Sequence, residues 1–144
     1  MKRWLGLDLG NVRIGVALSD LLGMTAQPLK VLKSEGTQKD LIAIGEMVNE
    51  YEVTQVIVGL PINMDGTESK QTQKIRDFTQ KLSNRLNVSV FFVDERLTSR
   101  QAERMMSESG VTSKKQRGKV DQIAAAILLQ AALKGAPLTE VPKP

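Results

Sequence analysis

Trp4-Leu5-Gly6-Leu7-Asp8-Leu9-Gly10-Asn11-Val12-Arg13-Ile14-Gly15-Val16-Ala17-Leu18 is the stretch from which the fold is read. Between Trp4 and Leu9 the period is two, with Leu5, Leu7 and Leu9 on one face and Trp4, Gly6 and Asp8 on the other, as a strand requires. Gly10-Asn11 is turn chemistry, and Ile14, Val16 and Leu18 alternate again, so the first two strands are expected to form a hairpin. A third strand is expected between about Thr25 and Lys33, where Pro28 cannot donate a ladder hydrogen bond and marks an edge or a bulge. Asp8 is thereby placed mid-strand, among Leu, Gly and Trp, where a solvated charge does not belong.

Downstream the period changes. Thr37 can cap a helix over 38–51, whose stripe is Leu41, Ile44, Val48 and Tyr51. Val56-Ile57-Val58-Gly59 then reads as a strand buried on both faces, and residues 61–66 as a loop. A second helix over 69–85 carries Ile75, Phe78 and Leu82, and residues 88–93 form the next buried strand. Thr98 with Gln101 suits a capping box for a helix that ends at Gly110. Residues 111–119 read as a loop holding the densest basic cluster, and a last alanine-rich helix covers 120–133. Hairpin first and helix-strand alternation afterwards predict an α/β fold, a mixed sheet of about five strands flanked by helices. A single domain over 1–137 and a loose, proline-marked tail over 138–144 complete the expectation.

The chain has 144 residues, no cysteine and no histidine. Disulfides, thiolate zinc sites, a Ser-His-Asp triad and imidazole metal ligands are therefore excluded. Any metal has to be held by oxygen, which favours hard cations. A net charge of +4 leans toward polyanionic partners. No apolar run is long enough for a signal peptide or a membrane span, so a cytoplasmic protein without a membrane partner is expected.

Three acids stand out. Asp8 lies in its strand; Glu95 follows a buried strand at the carboxyl edge of the sheet, where α/β proteins bind ligands; Asp121 shares a helical face with Ala124, Ala125 and Leu128. Each has a structural alternative: a turn cap or a pair with Arg13 for Asp8, an ion pair with Arg96 or Arg100 for Glu95, the helix dipole for Asp121. Clustered carboxylates repel one another and resist desolvation, so a cluster implies cations. Mg²⁺ or Mn²⁺ in a two-metal site would suit phosphodiester hydrolysis without histidine.

Leu7-Asp8-Leu9-Gly10 with Arg13-Ile14-Gly15-Val16-Ala17 resembles the first motif of the YqgF family. Ile57-Val58-Gly59-Leu60-Pro61 with Asn63-Met64-Asp65-Gly66-Thr67-Glu68, then Val93-Asp94-Glu95-Arg96-Leu97-Thr98, then Gly118-Lys119-Val120-Asp121 with Ala124-Ala125, continue the resemblance in order over nearly the whole chain. The resemblance implies an RNase H-like fold, related to the RuvC-type Holliday junction resolvases, and a cytoplasmic bacterial nuclease that processes the 5' end of pre-16S rRNA. It also implies an acidic triad on Asp8, Glu95 and Asp121, the positions singled out above. RuvC-type enzymes have a fourth acid, whereas the residue three after Asp121 is Ala124. Asp94 is expected, by strand alternation, to face away from Glu95.

Around the triad, Gly10, Arg13, Asn63, Asp65, Arg96 and Arg100 are candidates for substrate contact, with Arg96 and Arg100 able to hold a phosphate or neutralise the acids. Gly10 has the alternative of simply serving the hairpin turn. Lys114, Lys115, Arg117 and Lys119 would bind phosphates without sequence preference. Aromatic residues are only 3%, too few for a base-stacking platform, so structured RNA or branched DNA would be recognised by backbone shape and charge. A monomer or weak homodimer is expected. Competing readings are a DNA junction resolvase, which requires a symmetric dimer, and a non-catalytic RNA-binding ribosome-assembly factor. An ATP-binding module of the actin and sugar-kinase type is opposed by the chain's length, which provides one domain where those proteins use two.

Overall fold

A computed structural model describes residues 3–98 and 114–144, with the backbone alone for 114–122. The elements are β1 (Arg3–Leu9), β2 (Arg13–Ser19), β3 (Ala26–Lys33), α1 (Thr37–Glu50), β4 (Val53–Leu60), α2 (Lys70–Arg85), β5 (Ser89–Asp94), a 3-10 turn (Glu95–Leu97), α3 (Lys114–Leu133) and β6 (Leu138–Glu140). Among the described residues the sheet has six strands in the order β3-β2-β1-β4-β5-β6. β1, β4 and β5 run parallel, while β2 is antiparallel to both β1 and β3, and β6 to β5. The mixed sheet and the leading hairpin are as the sequence predicts. At the outer edge β3 places Pro28 opposite Ala17, next to the irregularity between Val16 and Ala17, so the missing N–H costs no regular ladder bond.

Each face of the sheet buries its own core. Leu5, Leu7, Val56, Val58 and Val90 meet Ile44 of α1 and Leu82 of α2 on one side. Ile57 and Val93 meet Ala125, Leu128, Leu129 and Ala132 of α3 on the other. Burying each such Leu or Val removes water from apolar surface worth about 2 kcal/mol. The alternation in β1 thus assigns Trp4, Gly6 and Asp8 to the α3 side. A Cβ on Gly6 would lie 2.8 Å from Leu129 Cβ and 3.0 Å from the Ala125 carbonyl, so the helix rests directly on the strand backbone there.

Two local expectations about these elements are corrected. Thr37 is the first residue of α1, and Gly36, at φ 109°, occupies the cap position. The Asp40 carboxylate serves that end instead, accepting from Ser34 Oγ at 2.6 Å and from the Glu35 N–H at 3.0 Å. Lys114, Lys115, Arg117, Gly118 and Lys119 lie in the opening turns of α3, not in a loop, because Lys, Gln and Arg propagate a helix well enough to carry one glycine. The helix expected over 98–109 falls outside the described residues beyond Thr98.

The tail is not loose, and the sheet has a sixth strand. β6 pairs with β5, Val141 is buried and donates its N–H to the Val90 carbonyl at 2.8 Å, and Lys143 Nζ donates to the Ser83 and Leu86 carbonyls at the end of α2. A strand of three residues is too short for alternation to register, and the prolines that suggest a loop stand just outside it. Deleting residues 138–144 is expected to lower stability by about 3 kcal/mol, from one buried valine and the lost hydrogen bonds. A urea midpoint unchanged by the deletion would contradict this anchoring.

Candidate active site

Asp8 and Glu95 are both buried, at 4% and 2% exposure, which is unusual for carboxylates and demands built surroundings. Asp8 stands opposite Gly15 in the β1–β2 register, and cross-strand partners share a face. On the other flank Leu7 is aligned with Val58, so the next residue along β4, Gly59, is the neighbour of Asp8. Asp8 therefore sits between two glycines, in a trough of the strand backbones on the face that α3 covers.

Glu95 reaches the same trough from the opposite side. It follows β5, whose Val93 is aligned with Gly59, and its Oε1 lies 3.0 Å from where a Cβ on Gly59 would stand. That same Cβ would be 2.5 Å from Leu128 Cδ1 of α3. Gly59 thus does two things by lacking a side chain: it admits the helix and leaves room for the Glu95 carboxylate beside Asp8. Its part in the site went unread in the sequence, although a glycine inside a buried strand signals close approach.

Clasped side chains hold Glu95 in place. Arg96 donates to both carboxylate oxygens of Asp94, at 2.8 Å for the closest contact, and the Asp94 carboxylate also accepts the Arg96 N–H at 2.9 Å. Thr98 donates its N–H and hydroxyl to the Glu95 carbonyl. Burial by itself would raise the Asp94 carboxyl, but the Arg96 contacts outweigh it and hold the group below its ordinary 3.8. A lowered folded value means that the stabilisation is complete above the ordinary 3.8 and is lost as pH falls from there through the lower folded value. Asp94→Asn is accordingly expected to cost about 1 kcal/mol at pH 7 and progressively less as pH falls below the carboxyl's ordinary 3.8, as a series of urea midpoints across that range would reveal. A pH-independent gap would rule the clasp out as its source.

Loop 61–68 closes the same edge. Asn63 Nδ2 donates to Thr67 Oγ1 at 2.9 Å, and Thr67 donates its hydroxyl and N–H to Asp65. These Thr67 bonds, helped by the nearby Arg96 guanidinium, hold the Asp65 carboxyl below its ordinary value. Glu68 accepts two hydrogen bonds from Arg76, whose guanidinium lies over the Phe92 ring, and Ser69 with Thr72 forms the capping box of α2. Asn63 and Asp65 thus shape a rigid, exposed loop beside Arg96.

The other expected site residues are placed as follows. Gly10 donates its N–H to the Arg13 carbonyl at 2.9 Å, and a Cβ would stand 2.7 Å from that oxygen, so it serves the hairpin turn; Arg13 itself begins β2. Arg100 lies outside the described residues. For Asp121, Lys114, Lys115, Arg117 and Lys119 only the α3 backbone is described. Asp121 is two turns into α3, beyond the first turn where a helix dipole stabilises an acid, which removes that explanation for it. It precedes Ala125 and Leu128 by four and seven positions, and these residues are buried against the sheet. Among the described residues no three acidic groups form a metal-ligand cluster. The described donors nonetheless fit a hard cation: two buried carboxylates beside Gly59, both offering oxygen, the donor that hard cations prefer.

A family model described as "RuvX: Holliday junction resolvase" matches residues 2–135. A protein of Anaeromyxobacter dehalogenans named "Putative pre-16S rRNA nuclease" is 46% identical over 89% of this chain and 93% of its own length. One of the same name from Halothermothrix orenii is 45% identical over 89% and 91%. Among solved structures, RuvC of T. thermophilus in complex with a Holliday junction substrate superposes with a TM-score of 0.59 at 14% identity, covering 96% of this chain and 99% of that one. The Fowlpox virus resolvase, with its junction DNA, gives 0.53 at 16%, covering 92% and 98%. At such identities the likeness is one of fold, and the fold is RNase H-like, as expected.

Proposed function

The chain belongs to the family described as RuvX, Holliday junction resolvase, and from that membership we propose that it is a metal-dependent nuclease acting on the 5' end of pre-16S rRNA. The observation that carries the reading is the pair of buried carboxylates, Asp8 and Glu95, brought to the two flanks of Gly59 at one edge of the sheet. The third member of this proposed set is Asp121 of α3, the acid that the family resemblance implies. These three would hold Mg²⁺ or Mn²⁺.

When bound, two such cations supply an activated water and charge stabilisation at the leaving oxygen. The chain's own residues do the rest. Asp8 and Glu95 offer acceptor oxygens already desolvated, so little reorganisation accompanies uptake of a cation. Gly59, by lacking a side chain, leaves the Glu95 carboxylate its place beside the strand that carries Asp8. Arg96, held by Asp94, presents its charge between Glu95 and the Asn63–Asp65 loop, where it orients a phosphate; Arg13 and Arg100 and the basic opening of α3, with Lys114, Lys115, Arg117 and Lys119, add attraction for the backbone. Recognition is by shape and charge, in a cytoplasmic protein that works as a monomer or weak homodimer. Among the described residues no helix is long and apolar enough to cross a membrane.

The test sets a labelled 5' precursor fragment of 16S rRNA beside a four-way DNA junction, each with Mg²⁺ or Mn²⁺. RNA cleavage that disappears with chelator is the expected result. Cleavage of the junction alone would replace this reading with a resolvase, and binding of RNA without cutting would make the protein an assembly factor.

A further inference from the structure

The carboxylate trough occupies the α3 side of the sheet edge; the opposite side of that edge carries a cleft of about 370 Å³ between the start of α1 and α2. Gly10 and Asn11 of the β1–β2 turn line it, two and three residues beyond Asp8, and the Ser34 N–H bonded to the Val12 carbonyl holds the end of β3 against that turn. The cleft therefore opens over the same edge as the candidate active site, with only the turn between them.

Lys74 and Lys81 line the cleft from α2, seven positions apart and so on one side of the helix. Both are exposed, and among the described residues neither takes part in an ion pair. Two carboxylates also border the space, but each has donors of its own: Asp40 accepts from Ser34 Oγ and the Glu35 N–H, and Asp77 accepts from Gln73 Nε2 at 3.0 Å. Among the described residues the lysine charges are thus without an ion-pair partner, in a polar cleft that leads away from the trough. Nothing in the triad mechanism uses them.

We propose that this cleft is a second contact for the substrate strand, in which Lys74 and Lys81 take backbone phosphates of the nucleic acid that crosses the β1–β2 turn from the Asp8 trough. The inference rests on the nuclease reading above and adds where the flanking strand runs. A phosphate engaged by a flexible lysine is held by charge and not by base identity, so the cleft contributes affinity and register without sequence preference.

The experiment measures binding of a labelled single-stranded RNA to the full chain in chelator, where cleavage is silent, as a function of salt. Each lost phosphate contact should flatten the slope of log K against log salt by about 0.7. The double variant Lys74→Gln/Lys81→Gln is expected to bind about 10-fold more weakly with a slope reduced by about 1.4. The charge-matched Lys30→Gln/Lys134→Gln, on β3 and beyond α3, should stay near wild type in both. Equal losses in the two double variants would reduce the effect to net charge and overturn the cleft, as would unchanged binding in the first. Inorganic phosphate is the second probe: if the cleft variant loses only phosphate binding and keeps its RNA affinity, the site is for a free anion and the strand assignment fails. RNA that is bound through the cleft yet uncut on adding Mg²⁺ would instead count against the nuclease reading alone.

Discussion

Asp8→Asn is expected to lower the rate of RNA cleavage about 10³-fold, some 4 kcal/mol of barrier, while the fold is kept. The substitution preserves shape and removes one charge from a trough where a second buried carboxylate, Glu95, stands across Gly59. A cation held by the carboxylates binds the folded chain and not the unfolded one, so the wild type should gain stability on adding Mn²⁺ and the variant should gain less. Single-turnover cleavage and a melt with and without metal check the two halves. An Asp8→Asn protein that cuts at the wild-type rate would remove Asp8 from the chemistry.

Gly59→Ala is expected to damage both stability and rate, because the added methyl enters space already claimed by two elements. It would stand 2.5 Å from Leu128 Cδ1 and 3.0 Å from Glu95 Oε1, so either α3 lifts from the sheet or the carboxylate turns away. Overpacking of this kind costs about 2 kcal/mol, and displacing a reacting group by about 1 Å costs about 10²-fold in rate. Gly6→Ala separates the effects. Its Cβ would meet Leu129 and the Ala125 carbonyl but no carboxylate, so it should lose similar stability with a smaller loss of rate at a temperature where both variants are folded. Equal rate losses in the two variants would show that Gly59 acts only through helix packing.

Much of this was legible in the chain, for reasons that lie in particular residues. Leu5, Leu7 and Leu9 against Gly6 and Asp8 made the first strand and its faces plain, since one face is packed by large side chains and the other is not. The parallel strands announced themselves as short apolar runs, being buried on both sides. Glu95 was recognisable by its place at a strand end. What escaped was whatever depends on a partner remote in sequence: the fit of Gly59 against Leu128, the pairing of β6 with β5, and the bond of Lys143 to the end of α2. The start of α3 escaped for another reason. Its Lys and Arg residues favour a helix, while their charge and Gly118 suggest a loop, and only the continuing helix decides between them. For Arg96 the sequence offers a phosphate ligand or a neutraliser of the acids; its bonds to Asp94 show that it also fixes the turn carrying Glu95.

The central claim is that three carboxylates from β1, the end of β5 and α3 form one catalytic centre. Asp121→Asn tests it most directly, as the member contributed by the helix. Its rate on the labelled 16S rRNA precursor in Mn²⁺ is predicted to fall to the level of Asp8→Asn, and the double variant to fall no further, because residues acting as one unit are not additive. Cleavage by Asp121→Asn at the wild-type rate would contradict the three-acid centre.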